Sequence, residues 1–151
     1  MPFRLPTIRI TKSFHFEMAH ALSEHDGPCK NIHGHSYQLA VTVSGKPSEH
    51  EGSSSNGMVI DFSEIKTIVQ QHIIAEFDHT LVLNDSDKKR FPDLKNHDKV
   101  IYFPFAPTCE MLLVHIVNTL TKHLPSGVQL QTVRLNETIT SYAEWHAEEN
   151  L

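Results

Sequence analysis

The sequence predicts a single α+β domain with the element order strand-strand-helix-helix-strand-strand. Three observations predict it. Residues 8–20 and 33–46 alternate apolar and polar positions with the period of half-buried strands. Residues 62–77 and the segment after Pro107 carry apolar residues at helical spacing. Residues 128–146 return to a strand-like pattern broken by one turn. At 151 residues the chain is long enough to bury one sizeable core without staples. No repeat or shift in composition marks a second domain within 1–151.

In the first strand Ile8, Ile10, Phe14, Phe16, Met18 and His20 share one parity. Arg9, Thr11, Ser13, His15, Glu17 and Ala19 take the other, so His15 is expected in solvent and His20 on the apolar face. Residues 21–32 contain Ser-Glu-His-Asp-Gly-Pro, a loop by composition. The second strand then places His33, His35, Tyr37, Leu39, Val41 and Val43 together on one face. Pairing the two strands as a hairpin brings His20 beside His33 and His35. Gly45 ends the strand, and Lys46–Gly57 is a Ser/Gly/Pro-rich connector expected to be mobile.

Asp61 followed three residues later by Glu64 resembles a capping box. Phe62, Ile65, Val69, His72, Ile73 and Phe77 give the first helix its stripe, and the helix stops at Asp78-His79. Thr80–Leu83 is short and apolar. From Asn84 runs a polar connector longer than is usual in a compact domain, and such segments are functional or disordered. It carries Lys88, Lys89 and Arg90 in what reads as a loop, and Val100–Phe105 reads as a short strand. Thr108 is the expected N-cap of the second helix. Leu112, Leu113, Ile116, Val117, Leu120 and Leu124 form its buried stripe, ended by Pro125-Ser-Gly127. Parity slips between Leu130 and Val133, and a bulge near Gln131 reconciles it. Tyr142–His146 is the last strand.

Composition excludes several classes of function. With 39% hydrophobic and 21% charged residues the chain reads as an ordinary soluble protein. A net charge of -5 and no basic stripe leave no footprint for nucleic acid. No apolar run approaches the roughly 20 residues needed to span a bilayer, so no membrane partner is expected. Met-Pro-Phe-Arg-Leu-Pro is too polar and Pro-broken for a signal peptide. Two cysteines, Cys29 and Cys109, make no disulfide framework, and a cytoplasmic location is expected. The 12 histidines are the compositional anomaly.

Three of those histidines share a face with metal-binding logic. Catalytic zinc typically takes three protein ligands and keeps a fourth position open, and three imidazoles are one accepted set. His20, His33 and His35 fit that set, with Gly34 relieving crowding between two of them. Cys29, in a polar Gly-Pro loop just ahead of the ligands, reads as a reactive thiol or as a fourth ligand. Cys109, in the first turn of a helix beside its apolar stripe, is assigned to packing. Asp78-His79 offers a carboxylate beside an imidazole, a common acid/base pairing. Glu137 falls on the apolar parity of its strand, where an acid is costly unless paired. It is either an edge residue facing solvent or a carboxylate that binds the N–C–N edge of a guanine-like or pterin ring. Glu110 lies in the first turn of its helix, where the dipole favours an acid.

Taken together, Phe-His-Phe-Glu-Met-Ala-His20, Cys29-x-x-x-His33-Gly-His35-Ser-Tyr, Asp61-Phe, Asp78-His79-x-x-x-Leu-Asn84, Pro107-Thr-x-Glu110 and Asn-Glu137-Thr resemble the 6-pyruvoyl-tetrahydropterin synthase family. The motifs occur in family order across residues 8–146. The resemblance implies a tunnelling fold (T-fold): a four-stranded antiparallel sheet with two helices on one face, assembled into a homo-oligomer, tetramer or hexamer. It implies Zn2+ held by His20, His33 and His35. It implies Cys29 as general base, completed by Asp78 and His79 across a subunit interface. Glu137 is then the anchor of a pterin triphosphate substrate, with Thr108 and Glu110 as secondary contacts. The short gap between Cys29 and His33 is similar to that of the bacterial branch forming 6-carboxy-tetrahydropterin, and animal members have a longer one. Lys46–Gly57 and Asn84–Ala106 depart from the shorter bacterial members.

Overall fold

The computed structural model describes residues 3–151. The alternation of residues 8–20 becomes β1 (Ile8–His20), antiparallel along its whole length to β2 (His33–Gly45). Their register sets His20 opposite His33 and Met18 opposite His35. Because side chains alternate faces, this register delivers all three histidines to the apolar side.

The predicted 62–77 helix is present in three joined pieces: α1 (Phe62–Val69), a π-helical turn (Gln70–Ile74) and α2 (Ala75–Phe77). Asp61 caps it by accepting the Ser63 N–H at 2.7 Å. Ile65, Val69, Ile73 and Phe77 are buried as expected, but Phe62, the first helical residue, is 51% exposed. The chain then forms β3 (Thr80–Asn84), α3 (Asp87–Arg90), a 3-10 turn (Pro92–Asn96) and β4 (Val100–Phe103). The Lys88–Arg90 cluster thus sits on a short helix rather than in a loop. Finally come α4 (Cys109–His123), β5 (Gln129–Thr138) and β6 (Ser141–His146). Thr108 caps α4, accepting the Met111 N–H at 3.1 Å. In the Lys46–Gly57 connector, Ser48 and Met58 close a turn through two backbone hydrogen bonds, Ser48 N–H to Met58 and Gly57 N–H to Ser48.

The sheet has six strands in the order β4-β3-β1-β2-β5-β6, which corrects the expected four-stranded antiparallel sheet and the simple ββααββ order. The four expected strands are its antiparallel part, β1-β2-β5-β6. The other two are added in parallel at the β1 edge, Met18 beside Thr80 and His20 beside Val82, with β4 then beside β3. A parallel neighbour requires a crossover connection, and the 62–77 helix supplies it.

Both long helices share one core with the apolar sheet face, built on Phe14, Phe16, Tyr37, Leu39, Val41, Val133 and Leu135. Phe16 is stacked on Tyr37, ring centroids 5.1 Å apart, and lies against Phe77 of α2. Emptying such a position typically costs about 3–5 kcal/mol. Two irregularities in β5 matter for the site. Against β2, Thr42 pairs with Thr132 and Val43 with Leu130, leaving Gln131 as the expected bulge. Against β6, Asn136 pairs with Tyr142 and Thr138 with Ser141, leaving Glu137 as a second bulged residue.

Candidate active site and metal centre

His20, His33 and His35 converge so that one ring nitrogen of each lies within 4.8 Å of the others. His20 is fully buried at the end of β1, and its Nδ1 meets the carbonyl of Pro107 at 2.7 Å. The Nδ1 of His33 meets the carbonyl of Asn31 at 2.8 Å. A carbonyl only accepts, so in both rings Nδ1 carries the proton and Nε2 presents a lone pair. Those two lone pairs face each other, Nε2 to Nε2, at 3.0 Å. The Nε2 of His35 is buried with no hydrogen-bond partner among the described residues. Two inward lone pairs beside a third buried, unpartnered ring nitrogen are unfavourable unless a cation sits among them. Zn–N bonds of about 2.0–2.1 Å in tetrahedral geometry separate ligand nitrogens by about 3.3 Å, so the cluster fits that ion. Burial lowers the pKa of His20, partly offset by its bond to Pro107, and so favours the neutral, metal-competent imidazole.

A cavity of about 210 Å³ adjoins the cluster, lined by Leu22, Thr108, Cys109, Glu110, Glu137 and three β6 residues, Ser141, Tyr142 and Ala143. It therefore unites the three residues expected to contact substrate. The Glu137 carboxylate reaches within 3.7 Å of His35 Nε2, linking cavity to metal centre. Its bulge, not strand parity alone, defines its place in the ladder. The Thr108 oxygen already accepts from Met111, so its own O–H remains to donate to a ligand.

Two groups at this site were not legible as such. Cys109, assigned to packing, does lie half-buried with its thiol donating to the Leu135 carbonyl at 3.4 Å, yet it also lines the cavity. Burial, and next the charge of Glu137, push its thiol up to about 11. The Tyr37 hydroxyl is buried without a hydrogen-bond partner among the described residues. Burial, then the Glu137 charge, hold it well above the usual phenol range. Its parity with His33 and His35 was the available signal.

Asp78 and His79 do bond one another, Oδ1 to Nδ1 at 3.1 Å. The backbone N–H of Glu17, donating at 2.9 Å, is the main cause holding the Asp78 carboxyl below the usual carboxylate range. Slight burial opposes that shift, while His79 and Lys99 add to it. His79 is the one non-glycine residue among those described with a left-handed backbone, φ 59°. Such strain persists only where surroundings impose it. Here the His79 N–H donates to the Glu17 carbonyl at 2.6 Å and Lys99 donates to the Asp78 carbonyl. The imidazole itself is largely exposed and lines a cavity of about 680 Å³ with Glu17, Ser36, His97 and Lys99. His35 borders this cavity, whereas His20, His33 and Cys29 do not.

Cys29 lies half-buried in a 3-10 turn, Pro28–Lys30, between the first and second ligands. Its sulfur is outside the cluster of converging ligand atoms, which argues for the thiol reading over a fourth ligand. Within one chain it is not brought together with Asp78 and His79 in either cavity.

This combination is a three-histidine cluster that could hold a metal ion, on a β-hairpin of an α+β fold beside a cavity lined by Glu137. The chain belongs to the 6-pyruvoyl tetrahydropterin synthase family, whose model matches residues 9–148. It is 36% identical over 141 residues to the 6-carboxy-5,6,7,8-tetrahydropterin synthase of Haemophilus influenzae, covering 91% of this chain and 97% of that one. The enzyme of the same name from Aquifex aeolicus is 31% identical over 165 residues, covering 92% and 98%. Among solved structures, the 6-pyruvoyl tetrahydropterin synthase of Caenorhabditis elegans superposes with a TM-score of 0.67 at 22% identity, covering 95% and 98%. That of Plasmodium falciparum gives 0.68 at 19%, covering 93% and 97%, a likeness of fold. Like its curated relatives, the protein is an enzyme of the lyase class. Among the described residues no helix is long and apolar enough to cross a membrane.

Proposed function

We propose that the protein is a zinc-dependent carbon–carbon lyase. In this reading it converts 7,8-dihydroneopterin triphosphate to 6-carboxy-5,6,7,8-tetrahydropterin, releasing acetaldehyde and triphosphate. The observation that carries the proposal is the contact between the two half-sites, Glu137 within 3.7 Å of His35 in the three-histidine cluster. A pterin ring held by Glu137 has its side chain directed at the metal. The names of the curated relatives support the carboxy product over the pyruvoyl one. The product then feeds queuosine (7-deazaguanine) biosynthesis in the cytoplasm.

Each residue has a defined task. The Glu137 carboxylate accepts two N–H groups from the N–C–N edge of the ring, a charge-assisted pairing. Thr108 donates its free hydroxyl, and Glu110 accepts at the cavity rim. His20, His33 and His35 hold Zn2+, which when bound supplies a positive charge that acidifies the hydroxyl-bearing side chain. The Cys29 thiolate removes a proton from that side chain. His79, oriented through Nδ1 by Asp78, returns protons during tautomerisation, and its exposed Nε2 is free to do so. Loss of triphosphate and then cleavage of one carbon–carbon bond, with uptake of one water that supplies the second carboxylate oxygen and the proton taken up by the leaving two-carbon unit, complete the reaction.

The enzyme works as a homo-oligomer, tetramer or hexamer, in which Asp78 and His79 of one subunit complete the Cys29 site of another. The exposure of His79, in a cavity that Cys29 does not line, supports this arrangement. Incubation with 7,8-dihydroneopterin triphosphate followed by aldehyde trapping tests the reading. Acetaldehyde in step with triphosphate is expected. Triphosphate alone would assign 6-pyruvoyl-tetrahydropterin synthase chemistry instead, and neither product would leave a zinc- and pterin-binding module.

A further inference from the structure

The loop between the first and second histidine ligands is fastened to the rest of the protein by a buried ion-bearing contact. The Ser23 hydroxyl donates to Asp87 Oδ1. Asp87 is only 2% exposed, and its second oxygen is buried without a partner among the described residues. A carboxylate in that setting carries a desolvation cost that an apolar residue would not. What such a contact supplies is a short, directional link between two segments.

Both ends of the contact are built to transmit position. On one side, α3 is carried on the β3–β4 pair, with the Asp85 N–H donating to the Phe103 carbonyl at 2.8 Å. Asp87 is thus a fixed post two residues beyond that anchor. On the other side, Ser23 follows Leu22, whose N–H donates to the carbonyl of Cys29 at 2.9 Å. The loop is otherwise closed on itself, through His25 N–H to the Leu22 carbonyl and Gly27 N–H to His25 Nδ1, both at 2.9 Å. Among the described residues, Ser23–Asp87 is the hydrogen bond that joins residues 21–32 to an element outside the ligand hairpin.

We infer that Asp87 is a positioning residue: through Ser23 and Leu22 it fixes the backbone of Cys29 against the metal centre. This gives the long 84–106 connector a task in the reaction. The inference rests on the reading of Cys29 as the proton-abstracting thiol. Misplacing a reacting group by about 1 Å can cost about 100-fold in rate, so a loosened loop lowers turnover without touching the ligands.

Asp87→Ala, Ser23→Ala and Asp87→Asn in the zinc-loaded enzyme test it. The readouts are the iodoacetamide alkylation rate of Cys29, by peptide mass spectrometry, together with kcat, KM and zinc content. Both alanine variants should change Cys29 alkylation about fivefold or more and lower kcat about tenfold, with KM and zinc unchanged. Asp87→Asn keeps the acceptor for Ser23 and should restore both within about twofold. Unchanged alkylation in both alanine variants overturns the inference, as does a loss of kcat that tracks loss of zinc. The alkylation arm reads loop geometry alone. It therefore stands apart from Cys29→Ala, whose full activity would remove the base assignment and not the bridge.

Discussion

Replacing Glu137 by Gln changes one atom and removes one charge at the junction of the three-histidine cluster and the cavity proposed to hold the pterin ring. The carboxylate is partly buried, 27% exposed, so its interactions are only partly screened by water. Charge-assisted hydrogen bonds contribute about 1.5–3 kcal/mol each. The amide keeps one acceptor but turns a donor toward a ring N–H, so about 2–3 kcal/mol of binding should be lost. At about 1.4 kcal/mol per decade this is a 30- to 150-fold weaker Kd for a pterin ligand. Zinc should stay, because all three imidazole ligands and two of their backbone partners remain. Fluorescence titration with 7,8-dihydroneopterin alongside metal analysis measures both quantities. Unchanged pterin affinity, or weakening that merely follows zinc loss, would refute the anchor role.

Other outcomes follow from the same geometry. Cys29→Ala should lower turnover at least 1,000-fold, an order set by general-base contributions, with zinc content near normal; loss of zinc would make the thiol a ligand. His35→Ala should release zinc and abolish turnover, read by metal analysis after gel filtration. The carboxyl of Asp78 is held below its ordinary value of 3.8 when folded. Stability from this group is therefore full above that value and lost as pH falls through the lower folded one. Asp78→Asn should flatten the acid limb of a denaturation-versus-pH curve, and an unchanged limb would contradict the assignment. Cys109, pushed up to about 11, is about one-thousandth thiolate at pH 8 and should alkylate far more slowly than an unperturbed thiol.

What the sequence made legible was whatever local periodicity encodes. The parity of residues 8–20 and 33–46 specifies both which face His20, His33 and His35 occupy and, once paired, their neighbours. The parity slip at Gln131 is itself the trace of a bulge. The two strands added beside β1 were not legible as part of the sheet. β3 and β4 are five and four residues long, and β3 is buried at Thr80, Val82 and Leu83, leaving no strict alternation to read. Their parallel pairing is nonlocal: β3 reaches β1 after the 62–77 helix, and β4 reaches β3 after the segment that carries α3. The π turn at Gln70–Ile74 keeps the stripe nearly intact, so helical spacing could not reveal it. At the site, the bulge at Glu137 and the left-handed backbone at His79 are tertiary effects, imposed by β6 and by Glu17. The Ser23–Asp87 contact joins two polar connectors, where composition carries no pairing information.

In the proposed reaction a three-histidine zinc centre and a Glu137-anchored ring together break a carbon–carbon bond. The most direct test is a carbon balance on 7,8-dihydroneopterin triphosphate with zinc-loaded, chelator-stripped and zinc-restored enzyme. Equal amounts of 6-carboxy-tetrahydropterin and acetaldehyde are expected from the loaded and restored enzyme, and neither from the stripped one. A pterin product that retains all its side-chain carbons, or undiminished acetaldehyde after stripping, would contradict it.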